Sequence, residues 1–377
     1  METSMANAGM NNAMVRIENR KKITKLLYQE ESGITKQDIM YRLHLSAPTV
    51  NLLVQQLEND DLIFYESAQQ SSGGRIPQLV RFKYSAYITA GVEIQKNKFR
   101  ILLLDLNCSV VDRVTVTRAF EASKSYWEDV YAAIEDIRKK NDISSERFMG
   151  VGVSVPGPVN QEEKTFSSIL LDIDSYSYQE IENIMKYPLV VENDANAAGF
   201  AEIWKSDDLD DAAYLSVSKG VGGTIINKRE IVRGHSGFSG EFGHMTIDSN
   251  GKKCLCGRRG CLDVYCSTSV LSQYADDSLD KFFENKKEDK HLQEIWDNYL
   301  HYLEAGVSNL AVIMDYPVII GGEIAIYLNK DFEEFKKKIE GLDPFKRKTS
   351  VCKLSALGAD GAAIGAALII IQGFLDI

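Results

Sequence analysis

The stretch Gly240–Asp263 constrains this chain most, because it holds three of the chain's six cysteines and a histidine close before them. The four candidate metal ligands are His244, Cys254, Cys256 and Cys261. One histidine and three cysteines form a complete tetrahedral set for a structural zinc ion, with no position left for a catalytic water. Gly257 and Gly260 lie between the ligands, where a tight fold around an ion often needs positive φ. The alternative is a disulfide pair with one spare thiol.

The length and composition are those of an ordinary globular protein. At 377 residues the chain has room for two or three domains, and 44% of its residues are hydrophobic and 26% charged. The N-terminus lacks the basic-then-apolar pattern of a signal peptide, and the apolar run Ala362–Ile371 is too short to span a bilayer. We therefore expect a cytoplasmic protein without a membrane partner, and cysteines used as metal ligands agree with a reducing compartment.

The formal net charge of −11 is unevenly distributed along the chain. Residues 1–82 hold nine basic and nine acidic residues, so the remaining chain carries the whole negative balance. The first segment also contains a basic run made of Arg16, Arg20, Lys21, Lys22 and Lys25. A near-neutral segment with a basic face can bind phosphates, whereas the acidic remainder should not bind nucleic acid.

Residues 15–82, here called the head, have the pattern of a winged helix-turn-helix domain. A polar stretch over residues 1–14 precedes the head, and we expect it to be a flexible arm. Thr35 and Asp38 have the spacing of a capping box at the start of one short helix. After a four-residue turn, Ser46 is a good N-cap for a second helix with apolar residues at helical spacing. Two short helices joined by a tight turn are typical of a helix-turn-helix.

Two apolar runs after these helices, over residues 61–65 and 76–82, predict a hairpin that would form the wing. The proposed DNA-binding residues are Ser46, Ala47, Thr49, Asn51 and Arg75. The N-terminal part of the second helix would contact bases, while Ser46 and Arg75 would lie near phosphate or the minor groove. A small helical protein-interaction domain is the alternative.

From residue 83 onward, the pattern predicts two α/β lobes around a cleft. Apolar runs over 88–94, 100–106 and 110–116 predict three antiparallel strands, followed by a helix and a buried strand ending near residue 155. A short strand then ends in Glu192–Asn196, and polar residues at the carboxyl end of a strand are where open α/β folds bind ligands. The pattern restarts with another strand and a glycine cluster, Gly220–Thr224.

Several stretches together resemble the ROK family, named for repressors, open reading frames and kinases. They are Gly150–Val159, Glu192–Ala198, Gly240–Asp263, Gly321–Glu323 and Gly358–Gly365. The resemblance covers residues 85–377 and implies the actin-like ATPase and sugar-kinase fold, while the head is similar to that of the repressor branch. It implies a smaller lobe from residues 83–196 plus 358–377 and a larger lobe from 197–357 that carries the zinc site.

The resemblance also implies a sugar site. The corresponding residues are Asn193, Asp194, Glu241, His244 and Asp263. In a kinase, Asp194 would take the proton from the attacking sugar hydroxyl, although its position also suits a helix cap or Asx turn. His244 would use one ring nitrogen for zinc and the other for the sugar. Family members usually have Glu at the position of Asp263, so the sugar or its geometry is expected to differ.

The ATP side of the resemblance is degraded. Kinases of this kind have Asp-x-Gly-Gly-Thr at a first phosphate turn, where this chain has Glu93, Gln95, Lys96 and Asn97 in the aligned stretch. Without the glycines, the backbone cannot approach a phosphate closely. A second turn keeps Gly220, Gly222 and Gly223 but has Ser218 and Lys219 where Gly-Thr is usual. The nucleotide site is predicted to be vestigial, without bound ATP or magnesium.

Three functions compete at this point. The first is a transcriptional regulator, a repressor, that binds operator DNA and a sugar or sugar derivative, as a homodimer or a dimer of dimers. Sugar binding would close the cleft and change the spacing of two heads in the dimer. The second is an active ATP-dependent sugar kinase with an accessory head. The third is a zinc-stabilised scaffold for a protein partner.

Overall fold

The computed structural model describes residues 2–67, 78–206, 208–347 and 351–375. The first elements are α1 (Glu2–Gln29), β1 (Ile34–Thr35), α2 (Lys36–Leu43), α3 (Ala47–Asn59), β2 (Ile63–Ser67) and β3 (Gln78–Phe82). The three strands form an antiparallel sheet in the order β1-β3-β2. The helix pair α2–α3 followed by the β2–β3 hairpin confirms the predicted winged helix-turn-helix, and β2 lies two residues further along the chain than predicted.

The short polar residues predicted as caps hold the starts of both head helices. Thr35 Oγ1 accepts a hydrogen bond from the Asp38 backbone N–H at 3.1 Å, and Ser46 Oγ accepts one from the Thr49 N–H at 3.4 Å. His44 ends α2 in the left-handed conformation with φ of 52°. Behind these caps, the apolar faces of the three helices and the wing meet in one core, which includes Ile23, Leu27, Ile39, Val50, Leu53, Leu57, Val80 and Phe82.

Two predictions about the head, the flexible arm and the wing-tip arginine, are not matched by described structure. The structure corrects the flexible arm over residues 1–14, because α1 begins at Glu2. Up to Gln29 the stretch contains one glycine and no proline, and it is rich in Ala, Met and Asn without long β-branched runs, so nothing in it interrupts the helix. Arg75, the proposed wing-tip contact, lies outside the described residues.

A mixed five-stranded sheet, the first sheet, follows the head. Its region contains β4 (Ile88–Ile94), β5 (Phe99–Asp105), β6 (Val110–Val116), α4 (Lys124–Lys140), β7 (Phe148–Val155), β8 (Val159–Asn160), β9 (Thr165–Ser168), β10 (Ile173–Ser177), α5 (Gln179–Met185) and β11 (Leu189–Asn193). The strand order is β11-β7-β4-β5-β6. The β4–β5–β6 meander is antiparallel, as predicted, and β7 and β11 add in parallel beside β4.

A second five-stranded sheet and a helical layer complete the body. The remaining elements are α6 (Asp194–Lys205), β12 (Ala212–Val217), β13 (Val221–Asn227), β14 (Glu230–Ile231), α7 (Asp263–Cys266), α8 (Ser269–Ser272), α9 (Leu279–Asn285), α10 (Lys290–Met314), β15 (Val318–Gly321), α11 (Ile324–Leu328), α12 (Phe332–Leu342), β16 (Cys352–Leu354) and α13 (Gly361–Leu375). Its strand order is β14-β13-β12-β15-β16. The two sheets confirm the predicted α/β class, while the lobe boundaries stay a prediction.

The helices α6 and α13 pack between the two sheets, and α13 also covers β4 and β7. Glycines allow backbone-to-backbone contact here. A Cβ at Gly152 in β7 would lie 1.9 Å from the Ala366 carbonyl oxygen, and one at Gly365 would lie 1.7 Å from the Ala197 carbonyl oxygen. Any side chain at these positions would push α13 away from β7 and α6. These contacts fix α6, whose first residue belongs to the candidate site.

The stretch Gly358–Leu375 is the one helical segment of the described chain that is apolar and long enough to cross a membrane by length and composition. Half of it is buried inside the fold, and its contacts with β4, β7 and α6 account for its apolar character.

Candidate functional site

The predicted metal ligands converge. One ligand atom from each of His244, Cys254, Cys256 and Cys261 lies within 4.8 Å of every other. Cys254 Sγ is 3.8 Å from His244 Nδ1, and Cys256 Sγ is 3.7 Å from Cys261 Sγ. A tetrahedral ion with bonds of about 2.3 Å would separate its ligands by about 3.8 Å. The three cysteines are free thiols, so the disulfide alternative is wrong, and the set fits a metal ion.

The loop around these ligands, called the metal knuckle (His244 and Cys254–Cys261), is tightly turned. Gly257 and Gly260 have φ of 87° and 70°, as the sequence predicted. A Cβ at Gly260 would lie 1.5 Å from the Asp248 carbonyl oxygen. The Cys254 N–H donates to the Arg258 carbonyl oxygen at 2.8 Å, which closes the turn between the first and last ligands. The knuckle is therefore held by backbone bonds as well as by its ligand set.

Two predicted sugar residues lie where β11 runs into α6. Asn193 is the N-cap, since its Oδ1 accepts from the Asn196 N–H at 2.9 Å, and its Nδ2 donates to the Gly157 carbonyl oxygen at 3.0 Å. Asp194 is the first residue of α6, and its Oδ1 accepts from the Ala195 N–H at 2.8 Å. The capping role falls on Asn193, which leaves the second carboxylate oxygen of Asp194 available to a ligand.

The carboxyl of Asp194 has an unusual environment. Burial is the main cause that raises the pKa of Asp194 to about 7, and the negative charges of Glu93 and Glu241 raise it further against the Ala195 N–H. Burial also raises the pKa of Glu241, while His244 opposes that shift. Glu93 and Glu241 are therefore both near enough to influence the Asp194 carboxyl through their charge. A carboxyl that ionises near neutral pH can exchange a proton with, or accept a hydrogen bond from, a hydroxyl.

His244 joins this space to the metal knuckle. Its Nδ1 faces Cys254 Sγ, so its Nε2 is left for a second partner, as the resemblance implied. The Arg258 guanidinium donates to the His244 carbonyl oxygen at 3.2 Å and holds the backbone behind the ring. The metal knuckle thus orients the imidazole towards the site that also contains Glu241.

Asp263 has a protein partner on one carboxylate oxygen, and its role in sugar binding stays a prediction. Its Oδ1 accepts a hydrogen bond from the Val221 N–H at 2.8 Å, inside the second glycine turn. A nucleotide phosphate at this turn would need backbone N–H groups of that kind. The structure therefore brings Asp263 to the phosphate turn, and one N–H of that turn is already satisfied by a carboxylate.

The first phosphate turn is filled by side chains. Arg100 donates to Glu93 Oε2 at 2.6 Å and to Asp360 Oδ1 at 2.8 Å. Gln95 Nε2 donates to Glu93 Oε1 at 2.8 Å, and Arg113 reaches Asp360 Oδ2 at 2.9 Å. Exposure of 17% for Arg100 and 15% for Glu93 shows that this pair is partly withdrawn from water. The carboxylate at the expected metal-facing position is thus neutralised by an arginine of the neighbouring strand.

Polar groups at the second phosphate turn also have hydrogen-bond partners within the protein. Ser218 Oγ accepts from the Glu323 N–H at 3.1 Å, and the Thr268 hydroxyl donates to Glu323 Oε2 at 3.1 Å. The Lys219 carbonyl oxygen accepts from the Ser269 hydroxyl at 3.1 Å. The Glu323 carboxylate adds negative charge beside a turn that a phosphate would have to enter. Both turns therefore disfavour a nucleotide.

Sequence reasoning missed an ion pair at the edge of the site. Glu192, the residue before Asn193, is only 1% exposed, and its Oε2 lies 2.6 Å from Arg233 Nη2. Glu192 Oε1 accepts from the Asn193 N–H and from Asn196 Nδ2. Arg233 lies at the base of the segment that leads to Glu241, so the pair ties both halves of the site together. The sequence did contain a signal for this pair, because Glu192 stands at the end of a buried strand and a buried carboxylate requires a partner.

The DNA-binding candidates lie at the start of α3. Ser46, Ala47 and Asn51 are exposed, whereas Thr49 is half-buried. The Ser46 and Thr49 hydroxyls are 2.8 Å apart, so these two residues are engaged in the cap. Of the set, Ala47 and Asn51 present groups that are free to face a base, and no candidate at the described start of α3 is buried.

Comparison with known proteins identifies the family. The model of the ROK family matches residues 89–373, about three quarters of the chain. The chain belongs to the ROK family. This confirms the resemblance that the motif stretches implied, and the match spans both sheets, the metal knuckle and α13.

Similarity also extends over the head. The xylose repressor of Bacillus subtilis (strain 168) is 29% identical over 93% of this chain and 95% of its own length. A glucokinase of Halalkalibacterium halodurans is 22% identical over 75% of this chain and 94% of its own length. A crystal structure of a ROK family transcriptional regulator, a homologue of the E. coli MLC protein, superimposes with a TM-score of 0.75 at 20% identity. It covers 96% of this chain and 97% of that chain, which confirms the predicted fold.

Proposed function

We propose that this ROK protein is a sugar-responsive transcriptional repressor, which binds operator DNA through its head and a sugar in its cleft. The observation that carries the proposal is a contrast within one cleft. Asp194, Glu241 and His244 are available to a ligand, while Arg100 and Asp263 occupy the groups that a nucleotide phosphate would need. A protein that keeps the first set and closes the second is built to bind a sugar without phosphorylating it.

The comparisons support the regulator class over the kinase alternative. The match to a xylose repressor runs through the head, whereas the match to a glucokinase covers 75% of the chain. The repressor's name makes a pentose such as xylose the first effector to test. Partners of this class are operator DNA and a sugar, and we further propose a homodimer or dimer of dimers in the cytoplasm.

Zinc is the metal we propose for the knuckle. Its four-ligand set of one imidazole and three thiolates matches the softness and tetrahedral geometry that zinc prefers. The ion would supply no chemistry here, because all four positions are taken by side chains. Its role is to keep His244 pointing at the sugar from one side while Arg258 holds the backbone from the other.

DNA contact is proposed for the start of α3. Its exposed Asn51 can make the paired amide contact that recognises adenine, and Ser46 lies at the helix N-terminus, where a phosphate is stabilised. The wing would add Arg75. The basic run on α1 supplies further positive charge in the head.

Fluorescence anisotropy with a duplex from the region upstream of the gene, combined with an ATP-turnover assay on the same preparation, tests the proposal. Salt-sensitive DNA binding that xylose or another monosaccharide relieves is expected. Asn51→Ala should weaken operator binding by about 1–3 kcal/mol, while Asn59→Ala, an asparagine at the far end of the same helix, should not. Phosphorylation of the sugar at ordinary enzymatic rates would favour the kinase, and binding of neither sugar nor DNA would favour the scaffold.

A further inference from the structure

One helix connects the candidate sugar site to the head. α6 begins at Asp194, with Asn193 as its N-cap, and spans twelve residues to Lys205. At 1.5 Å per residue, its axis is about 18 Å long. Its first turn lies in the cleft, and its last turn packs against elements that precede the body.

The last turn of α6 meets α1 of the head at an aromatic junction. The Trp204 and Tyr28 ring centroids are 6.4 Å apart at an interplanar angle of 68°, and Phe200 packs on Trp204 at 5.6 Å. Tyr28 lies one residue before the end of α1 and also contacts the rings of Phe82 and Tyr84 at 5.6 and 5.5 Å. Trp204, in the last turn of α6, therefore contacts Tyr28 of α1, the helix that precedes the helix-turn-helix.

Hydrogen bonds anchor this junction at defined points. The Tyr28 hydroxyl donates to the Leu106 carbonyl oxygen at 2.9 Å, and the Tyr84 hydroxyl donates to the Tyr28 carbonyl oxygen at 2.5 Å. Burial raises the pKa of Tyr28, so its hydroxyl remains a donor at physiological pH. The junction is thus a specific arrangement rather than a loose apolar contact.

α6 itself is built to move as one body. Seven of its twelve residues are buried. A Cβ at Gly199 would lie 2.3 Å from Thr224 Cγ2, so the helix is pressed against β13. Arg229 caps its C-terminal end, because its Nη2 donates to the Ile203 carbonyl oxygen at 2.7 Å and its Nη1 to that of Ser206 at 3.1 Å. Close-packed elements with satisfied ends shift between discrete positions rather than bending.

We propose that α6 is the element through which sugar binding changes the orientation of the head, with the Trp204–Tyr28 contact as its output. This inference rests on the proposed function, since it needs both a sugar at Asn193 and Asp194 and DNA on α3. A ligand at the first turn favours one position of α6, and the aromatic junction passes that preference to α1. Coupling of this kind requires different contacts in the two states, and we assign that difference to the Trp204 ring.

Trp204→Ala tests the output contact in the full-length protein. Three quantities are measured: xylose affinity, operator affinity without xylose, and the factor by which xylose changes operator affinity. The two affinities are expected to stay within about threefold of wild type, while the coupling factor falls to below about twofold. Trp204→Phe, which keeps a ring, is expected to retain most of the coupling. Tyr274→Ala, an exposed aromatic in the region of α8 and α9, should change none of the three.

A double-mutant cycle with Tyr28→Ala separates the contact from general loosening. If the two side chains act together, the double variant loses no more coupling than either single variant. Amide hydrogen exchange on wild type offers an independent measurement, in which xylose is expected to change protection at the end of α1. Full coupling in Trp204→Ala, or unchanged protection at the end of α1 despite full coupling, overturns the inference. A wild-type protein that binds neither sugar nor operator contradicts the proposed function instead.

Discussion

The two sides of the cleft follow opposite rules. On the proposed sugar side, Asp194 and His244 each use one polar atom for structure and leave another for a ligand. On the phosphate side, Glu93 and Asp263 have protein partners on the atoms that would face a nucleotide. The difference teaches that a binding site is recognised by its unsatisfied groups. In this fold, which is shared with kinases, polar groups remain available on the proposed sugar side. On the phosphate side they are hydrogen-bonded within the protein.

Of the substitutions that test this difference between the two sides, removal of a metal ligand should have the largest effect on ligand binding. Cys256→Ser is expected to lower zinc affinity by more than about a hundredfold, since even partners behind the ligands are worth 10–100-fold. Sugar affinity should fall with it, because His244 loses its orientation. Metal content by elemental analysis and a sugar titration check this. Cys108→Ser, at a buried cysteine outside the knuckle, is the control, and full zinc content in Cys256→Ser would contradict the metal assignment.

The Arg233–Glu192 pair predicts the next largest effect. Arg233→Ala leaves the buried Glu192 carboxylate without its counter-charge and should cost about 1–3 kcal/mol in the free energy of unfolding. Sugar affinity should drop as well, because Glu192 positions Asn193. Urea denaturation and sugar titration measure both. Adding Glu192→Gln should recover most of the loss. Arg118→Ala, which removes surface ion pairs with Glu121 and Asp129, should cost little because exposed ion pairs contribute little to stability.

Asp194 makes the sugar side sensitive to pH. Its pKa is raised to about 7 in the folded protein, above the ordinary aspartate value of 3.8. Its stabilising contribution is therefore complete below about pH 4 and is lost as pH rises through 7. Asp194→Asn should be more stable than wild type at pH 8, and this advantage should disappear by about pH 4, which thermal unfolding at the two pH values tests.

The same group sets the pH dependence of binding. If the sugar hydroxyl is held by the ionised carboxylate, sugar affinity should rise about tenfold between pH 6 and pH 8, as the ionised fraction does. Titrations at both values measure it, with Asp194→Asn as the control that should show a flat profile. An equally steep profile in that variant would assign the dependence to another group.

Opening the phosphate side should have the smallest effect. Arg100→Ala removes one partner from each of the Glu93 and Asp360 carboxylates, which keep Gln95 and Arg113 respectively. It leaves the Val221 N–H bound to Asp263. Sugar affinity is expected to change by less than about twofold, and ATP turnover to stay at background, since both turns would have to open for a phosphate to bind. A coupled assay with ATP, magnesium and sugar checks this. Clear turnover in Arg100→Ala would show that the first turn alone had blocked a working kinase.

Local signals in the sequence were sufficient for much of the fold. Ser46 and Thr35 predicted helix starts because a cap bonds within three residues, and β4 to β6 followed from runs of apolar residues. The metal ligands were found for the same reason, since three of the four lie within one loop. The start of α1 at Glu2 was not predicted, because composition is a weak guide to structure where polar residues also have helix propensity.

Long-range polar pairs could not be predicted. Arg100 and Asp360 are 260 positions apart, and Arg233 is an exposed arginine in a loop until the fold places Glu192 beneath it. Asp263 was assigned to the sugar by its position in a motif, yet its bond to Val221 depends on how α7 docks on β13. Such pairs depend on tertiary geometry, which spacing in the sequence does not encode.

The place of α13 in the chain has a consequence for synthesis. This helix packs on β4 and β7 through glycines, yet it is made more than 150 residues after the last strand of the first sheet. One face of that sheet stays uncovered while the rest of the body emerges from the ribosome, whereas the head is complete within the first 82 residues. A nascent chain therefore contains the whole head sequence before the body is complete, and the exposed sheet is where a chaperone would be needed.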